Sequence, residues 1–404
     1  MTQATPTELI CVVVDVSVRK VRRRHALSPL TLVQLLLFTL APVHPAEAQR
    51  GWTAVTQRFD AFAKIAHVVG GTAVLVRDGR IVARHHYGFA DRAGGRRVGD
   101  STIYHWASVT KTLTAIAVLQ LRDRGLLALD DPITRWVPEL RAIHDPEGAV
   151  NRITLRMLLS HSSGFQAPTW PWGRGEPWEP FEPTEWSQLV AMMPYQRLEF
   201  PPGSRYGYSN PGYIYLARVV EKLTGDPWAV YVQKNIWIPL GMDRSYVGAT
   251  PYRLAVQRSH GYRVAGDSVA DLGADFNPGI TIPNSGWNAP VADVARYLAF
   301  LTGAVADSTV LARRTLEQMW TPSIRTGAAL PELAAVGLGF FSLEHEGRRI
   351  LGHTGDQAGY RSYLYFDPAA STGVILVFNT TNDDGAGDTE IAALAREALT
   401  ALRR

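Results

Sequence analysis

Cysteine is nearly absent from this chain: Cys11 is the only one among 404 residues. A single thiol leaves no intramolecular disulfide, no thiolate metal cluster and no cysteine nucleophile after residue 11. Lysine is scarce too. Only Lys20, Lys64, Lys111, Lys222 and Lys234 occur, and arginine carries the rest of the positive charge. The apolar stretch at residues 30–41, "LTLVQLLLFTLA", is short of the roughly 20 residues that cross a bilayer. Basic runs are missing outside the first 48 residues, which hold half of the net charge of +4, so the pI near 9.1 does not mark a nucleic-acid binder. There is no Gly-x-Ser-x-Gly elbow, and no Walker or Rossmann glycine pattern follows a strand.

What remains is the composition of a folded protein, 46% hydrophobic and 19% charged, long enough for a sizeable core. The N-terminus reads as an export leader. The basic run "RKVRRRH" precedes the apolar stretch, and "AEA" follows, so cleavage is expected after Ala48. Residues 1–48 are then a signal peptide, and residues 49–404 form a periplasmic or secreted domain. An uncleaved leader is the one membrane contact left open. Cys11 lies before the apolar stretch, which excludes a lipidated cysteine.

After the leader, "WTAVTQRFDAFAKIAHVV" has helical spacing. "GTAVLVRDGRIVARHHYGFAD" then places Asp78-Gly79 between two apolar runs, a hairpin signal, because a type I′ turn needs positive φ at both central positions. "GLGFFSLEHEGRRILGHTG" and "YRSYLYFDPAASTGVILVFNTT" predict two more hairpins, and "DTEIAALAREALTALRR" a closing helix. Strands at both ends around a helical middle predict an α/β (α+β) fold. A central antiparallel sheet is built from both chain ends and flanked by helices, with a large mostly helical insertion at about residues 110–330. Within that insertion, residues 165–188 include "PTWPWGRGEPWEPFEPTEW", four Trp among five Pro. It is either a surface loop packed on the body or an aromatic lid over a cleft.

Three short stretches carry chemistry. In "HWASVTKTLTAIAVLQL", Ser108 and Lys111 lie three residues apart at the start of an apolar helix, on one face. A Ser hydroxyl needs a base, and a desolvated Lys becomes one, whereas Arg stays protonated. The pattern is loose, and a second copy joins Ser17 and Lys20 in the leader. In "FPPGSRYGYSNPGY", Tyr208 and Asn210 flank one residue at a chain reversal, so both can face one cleft. A phenol near Lys111 passes protons, and Asn210 can hold the Lys and a substrate carbonyl. The plainer reading is an aromatic anchor and a helix cap. In "GHTGDQAGYRSYLYFDP", Gly352 and Gly355 bracket His353 where close backbone approach is allowed. His353 is a neutral donor, a cation near substrate, or an edge-strand residue.

Taken in order, Ser108-Val-Thr-Lys111, Tyr208-Ser-Asn210 and His353-Thr-Gly355 resemble the three motifs of the serine β-lactamase and penicillin-binding-protein superfamily. The Tyr-x-Asn form resembles the class C branch with its esterase and D-amino-acid peptidase relatives. "LALDDPI", "ITLRMLLSHSSGF", "GLGF" and "SYLYFDP" are similar to other family segments, and the likeness spans about residues 55–400. It implies a Ser108 acyl-enzyme, with Lys111 and Tyr208 sharing the general-base role and water releasing the acyl group. The implied substrate contacts are Asn210, His353 and Gly355. The implied oxyanion hole is the backbone N–H of Ser108 and of Asp356. No cofactor and no metal are implied. Class C β-lactamases carry Lys where this chain has His353, and that Lys helps hold the substrate carboxylate. The resemblance therefore orders the substrates as esters, then D-amino-acid or peptidoglycan-type peptides, then β-lactams, all small molecules. A penicillin-binding sensor that acylates with little turnover, and a binding protein that has lost its chemistry, are the competing readings. His161 in "LLSHSSGF" is set aside as a packed loop residue, and His85-His86 as strand residues without a third ligand.

Overall fold

The computed structural model describes residues 45–145, 147–168, 183–266, 268–305, 309–327, 333–382 and 388–401. All but the last four residues of the expected leader, and residues 169–182 of the Trp-rich loop, lie outside them. Helix α1, Pro45–Ile65, leads into strand β1, Gly70–Arg77, and β2, Arg80–Asp91. The expected cleavage point after Ala48 falls in the first turn of α1. Asp78 and Gly79 join β1 to β2 with φ of 50° and 74°, the type I′ geometry predicted for that pair.

The chain then leaves the sheet. The helices that matter to the site are α2, Thr110–Asp123, α3, Asn210–Thr224, and α4, Val291–Thr302. It returns as a meander of β3, Phe341–His345, β4, Arg348–Gln357, β5, Tyr360–Asp367, and β6, Thr372–Phe378, and ends in α5, Asp388–Ala401. The six long strands lie in the order β2-β1-β6-β5-β4-β3, all antiparallel. Two-residue strands at each side bring the sheet to nine. The predicted sheet from both chain ends is therefore the observed one, closed by β1 against β6.

Alternation along the strands divides two cores. Ala73, Leu75, Tyr363, Tyr365, Val374 and Leu376 face one way, where Val55, Phe59 and Ala63 of α1 meet Ile391, Leu394 and Ala398 of α5. Val74, Val76, Leu364, Phe366, Ile375 and Val377 face the other way, against the helical region. Because both faces are covered, β5 and β6 are buried along their whole length; β6 is almost wholly apolar, whereas β5 also buries Arg361, Ser362 and Asp367. Each large apolar side chain so buried contributes about 1.5–3 kcal/mol. Helix α2 is buried at every position from Thr110 to Leu121. A helix enclosed on all sides is a fixed post, and Ser108 stands at its head.

Candidate active site

Ser108 lies in a single 3-10 turn, Ala107–Val109, that runs into α2. Ala107 has φ of 44°, a left-handed conformation that costs a non-glycine residue roughly 1–2 kcal/mol. The turn is held from several sides. Ser362 Oγ donates to the Trp106 carbonyl at 2.9 Å, Trp106 N donates to Trp287 O at 2.8 Å, and Thr110 Oγ1 donates to Ala107 O at 2.6 Å. No side chain caps the start of α2, so the positive end of its dipole is open at Ser108.

Lys111 is fully buried one turn further on. Its Nζ lies 3.0 Å from Ser108 Oγ and 3.0 Å from the carbonyl oxygen of Asn284, to which it donates. Its ammonium position sits 4.9 Å from the Tyr208 ring centre and 5.8 Å from that of Tyr213. No carboxylate pairs with it among the described residues. Burial alone pushes the amine well below its ordinary range.

Tyr208 precedes the Ser209 N-cap of α3, whose Oγ accepts from Gly212 N. The Tyr208 phenol shares the cavity with the Ser108 side chain; burial raises its pKa, and Ser108 offsets that rise only in part. The two partners expected to share the base role are thus driven in opposite directions, toward a neutral amine and a neutral phenol. Asn210 is the first residue of α3 rather than its cap. Its Oδ1 accepts from Asn284 Nδ2 at 3.3 Å. The contact foreseen between Asn210 and Lys111 is made by the Asn284 carbonyl instead.

Strand β4 supplies the third side. His353 and Gly355 project toward α2, since they pair with Leu364 and Ser362 on that face. His353 is buried; its Nδ1 donates to Thr354 O at 2.6 Å, and burial, then the nearby Lys111, lower its pKa to about 3. It is a neutral imidazole. Strand β3 pairs with β4 only as far as Gly352, so His353–Gln357 present an edge that β3 leaves free. A Cβ on Gly355 would lie 2.4 Å from Trp106 O and 3.0 Å from Ala107 Cβ. Only glycine lets β4 come this close to the Ser108 turn. The Asp356 carboxylate itself turns to Arg361 at 3.1 Å.

These pieces border a cavity of about 420 Å³, lined by Ser108, Tyr206, Tyr208, Asn210, Phe341, His353 and the Gly355 strand edge. No Lys or Arg among the described residues lines it. One cavity therefore brings together Ser108, Tyr208, Asn210, His353, Gly355 and Asp356, with Lys111 buried behind Ser108.

The beta-lactamase family model matches residues 55–397. The chain belongs to that family. An esterase, EstB of Burkholderia gladioli, is 38% identical over 213 residues, 49% of this chain and 52% of the esterase. The chain thus spans about half the length of that relative. The octameric penicillin-binding protein homologue of Pyrococcus abyssi is 25% identical, with a TM-score of 0.72 over 87% of this chain and 77% of that one. The D-amino acid amidase of Ochrobactrum anthropi SV3, at 22% identity over 88% of this chain and 98% of its own, shares the fold with a TM-score of 0.73. So does a class C β-lactamase, at 18% identity over 88% and 97%, again with a TM-score of 0.73. The matched esterase, amidase and β-lactamase are hydrolases by name.

Two residues of this beta-lactamase-family site escaped the sequence. His161, set aside as packing, stacks on the Tyr208 ring with centroids 4.3 Å apart. Asn284 contributes a backbone carbonyl that no side-chain motif can announce. Of the Trp-rich loop, Trp186 is described, and it packs against Tyr215 and under Arg218 rather than over the cavity. Elsewhere, His85 bonds Asp60 at 2.7 Å and His86 bonds Thr72 and Asp100. Asp91, His260 and Asp271 bring three ligand-type atoms within 4.8 Å of one another. The two carboxylates lie at opposite nitrogens of the His260 ring, 4.0 Å from Nε2 and 3.0 Å from Nδ1, which describes a bridge between chain segments.

Proposed function

We propose that this protein is an exported serine hydrolase that cleaves small neutral carboxylic esters through an acyl-enzyme on Ser108. The observation that carries the reading is Lys111, fully buried, without a carboxylate partner and 3.0 Å from Ser108 Oγ. A neutral amine there accepts the Ser108 proton as Oγ bonds to the substrate carbonyl carbon. The carbonyl oxygen, now an oxyanion, takes hydrogen bonds from Ser108 N–H and Asp356 N–H. The intermediate collapses with loss of the alkoxide, which takes the Tyr208 proton; the Lys111 ammonium restores it to Tyr208. Water then attacks the acyl carbonyl, Tyr208 and Lys111 relay its proton to the departing Ser108 oxygen, and the acid leaves.

Esters rank first because the described cavity offers a neutral His353 and no cation to a substrate carboxylate. A buried carboxylate without a partner binds poorly. This favours neutral esters over β-lactams and peptides that end in a free carboxylate, and the likeness to an esterase agrees. Residues 1–48 serve in this reading as the export leader, and residues 49–404 as the catalytic domain. The test is intact-protein mass after brief mixing with nitrophenyl butyrate or benzylpenicillin, for wild type and Ser108→Ala. A butyryl adduct and nitrophenol from wild type alone support the reading. A penicilloyl adduct that persists for hours, with no ester turnover, would favour an acyl-trapping sensor instead.

A further inference from the structure

We propose that His161 is a positioning residue of this site. By accepting the Ser209 N–H and stacking on Tyr208, it holds the Tyr208 phenol against Ser108. The inference rests on the reading of Ser108 as nucleophile and extends it to a residue that touches neither Ser108 nor Lys111 by a hydrogen bond.

The segment that carries Tyr208 has no secondary structure of its own between Gly203 and Ser209. Its backbone hangs instead on residues 161–167. Gly203 N donates to Ser162 O at 2.7 Å, Gly207 N to His161 O at 2.8 Å, and Asn210 N to Ala167 O at 3.2 Å. Ser209 N donates to the Nδ1 atom of His161 at 3.1 Å. His161 thus grips the residue on each side of Tyr208, one by its carbonyl and one by its ring. The ring lies over the Tyr208 ring with an interplanar angle of 26°. With both neighbours and the face of the ring held, the phenol has little freedom left.

Packing alone does not account for a histidine here. Since Nδ1 accepts the Ser209 N–H, the ring proton sits on Nε2, and Nε2 is buried without a hydrogen-bond partner among the described residues. A buried unsatisfied donor costs about 1–3 kcal/mol, which a phenylalanine would avoid. What histidine supplies, and phenylalanine does not, is the acceptor for Ser209. The backbone is also in the left-handed region at φ of 54°, which His and Asn enter more readily than most residues.

The ring must stay uncharged to keep that acceptor. Lys111 from α2, His353 from β4, and Tyr206, Tyr208 and Tyr213 from the loop and α3 surround it, with no carboxylate among these contacts. Burial, then Lys111 and His353, hold its pKa well below the ordinary value.

The experiment compares wild type, His161→Phe and His161→Asn in nitrophenyl butyrate hydrolysis, with thermal melts of each. Phe keeps the stack and loses the acceptor; Asn keeps a short acceptor on a backbone it tolerates. A phenol displaced by about 1 Å should cut kcat by roughly 100-fold in His161→Phe with KM within about threefold, and His161→Asn should recover about tenfold of that loss. A His161→Phe kcat within twofold of wild type, or equal losses in both variants, overturns the inference. If Phe fails to fold, His161→Asn against wild type still reads the split between kcat and KM: a fall in kcat at unchanged KM supports the clamp, and an unchanged kcat overturns it. Histidine ¹⁵N NMR of wild type, with His161 assigned by its loss in His161→Asn, is independent of activity. A ring protonated on Nε2 alone and not titrating from pH 5 to 8 supports the clamp. Titration near pH 6.5, or a proton on Nδ1, overturns it. Should wild type release no nitrophenol, the ester reading fails while the NMR result still decides the geometry.

Discussion

Gly355→Ala tests whether the closeness of β4 to the Ser108 turn is what assembles the oxyanion site. Gly355 lies in regular strand without a positive φ, so alanine meets no conformational objection there. Space is the objection. The new methyl would lie 2.4 Å from Trp106 O, 2.6 Å from Ser362 Oγ and 3.0 Å from Ala107 Cβ. An ordinary carbon–oxygen contact is about 3.3–3.6 Å, so strand and turn must part by about 1 Å. Ser108 follows Ala107 and Asp356 follows Gly355, so the parting separates the two proposed N–H donors by a similar amount. A shift of that size costs roughly 100-fold in rate, and the complete loss of one oxyanion donor about 100- to 1,000-fold. We expect kcat for nitrophenyl butyrate to fall at least about 100-fold, with roughly 1–3 kcal/mol of stability lost to overpacking in urea unfolding. Adding Ser362→Gly removes one of the three clashes but leaves the Trp106 carbonyl, so recovery should be partial. A Gly355→Ala enzyme that keeps kcat within about fivefold would refute the argument, because the gap that opens is too large for donors that matter.

Lys111→Arg replaces the neutral amine with a cation that cannot give up its proton, so hydrolysis should fall by roughly 100- to 10,000-fold; a fully active variant would remove Lys111 from the base role. Lys111 also links stability to pH. Its folded pKa is lowered from 10.5, so between the folded and unfolded values the unfolded chain binds the extra proton and stability rises with pH. Lys111→Met should flatten that rise in urea midpoints measured from pH 7 to 10. Tyr208→Phe keeps the ring stacked on His161 and deletes only the hydroxyl, so it should leave the melting temperature near wild type while kcat falls roughly 100-fold or more. His353→Lys puts a cation into the cavity and should speed acylation by benzylpenicillin about tenfold relative to the ester, since a charged hydrogen bond is worth about 1.5–3 kcal/mol. Unchanged penicillin handling would mean that position 353 does not set the substrate order.

Local rules make the strands legible. Asp78-Gly79 demands positive φ twice, and the observed turn has it. Glu346-Gly347, between β3 and β4, and Ala358-Gly359, between β4 and β5, also have positive φ at both positions, with weaker sequence marks. The proximity of Ser108 and Lys111 is equally local, since residues three apart on one helix face must meet. Tyr208, Asn210 and His353 stand out locally, at a chain reversal and between glycines, but only the resemblance to family motifs joins them to Ser108, since 100 and 245 positions separate Ser108 from the first and last of them.

By itself, then, the sequence determined the sheet from both chain ends, the helix that carries Lys111 with Ser108 at its head, and the scarcity of lysine that singles out position 111. Tertiary structure alone decided how the site is charged and held. The depth at which Lys111 and Tyr208 are buried drives one amine and one phenol to neutrality, and depth is a property of everything packed around them. The Asn284 carbonyl reaches Lys111 across 173 residues, and the His161 ring reaches Ser209 across 48. A backbone oxygen has no signature in sequence, and a histidine turned by a left-handed residue shows its role only once the chain has folded back on it.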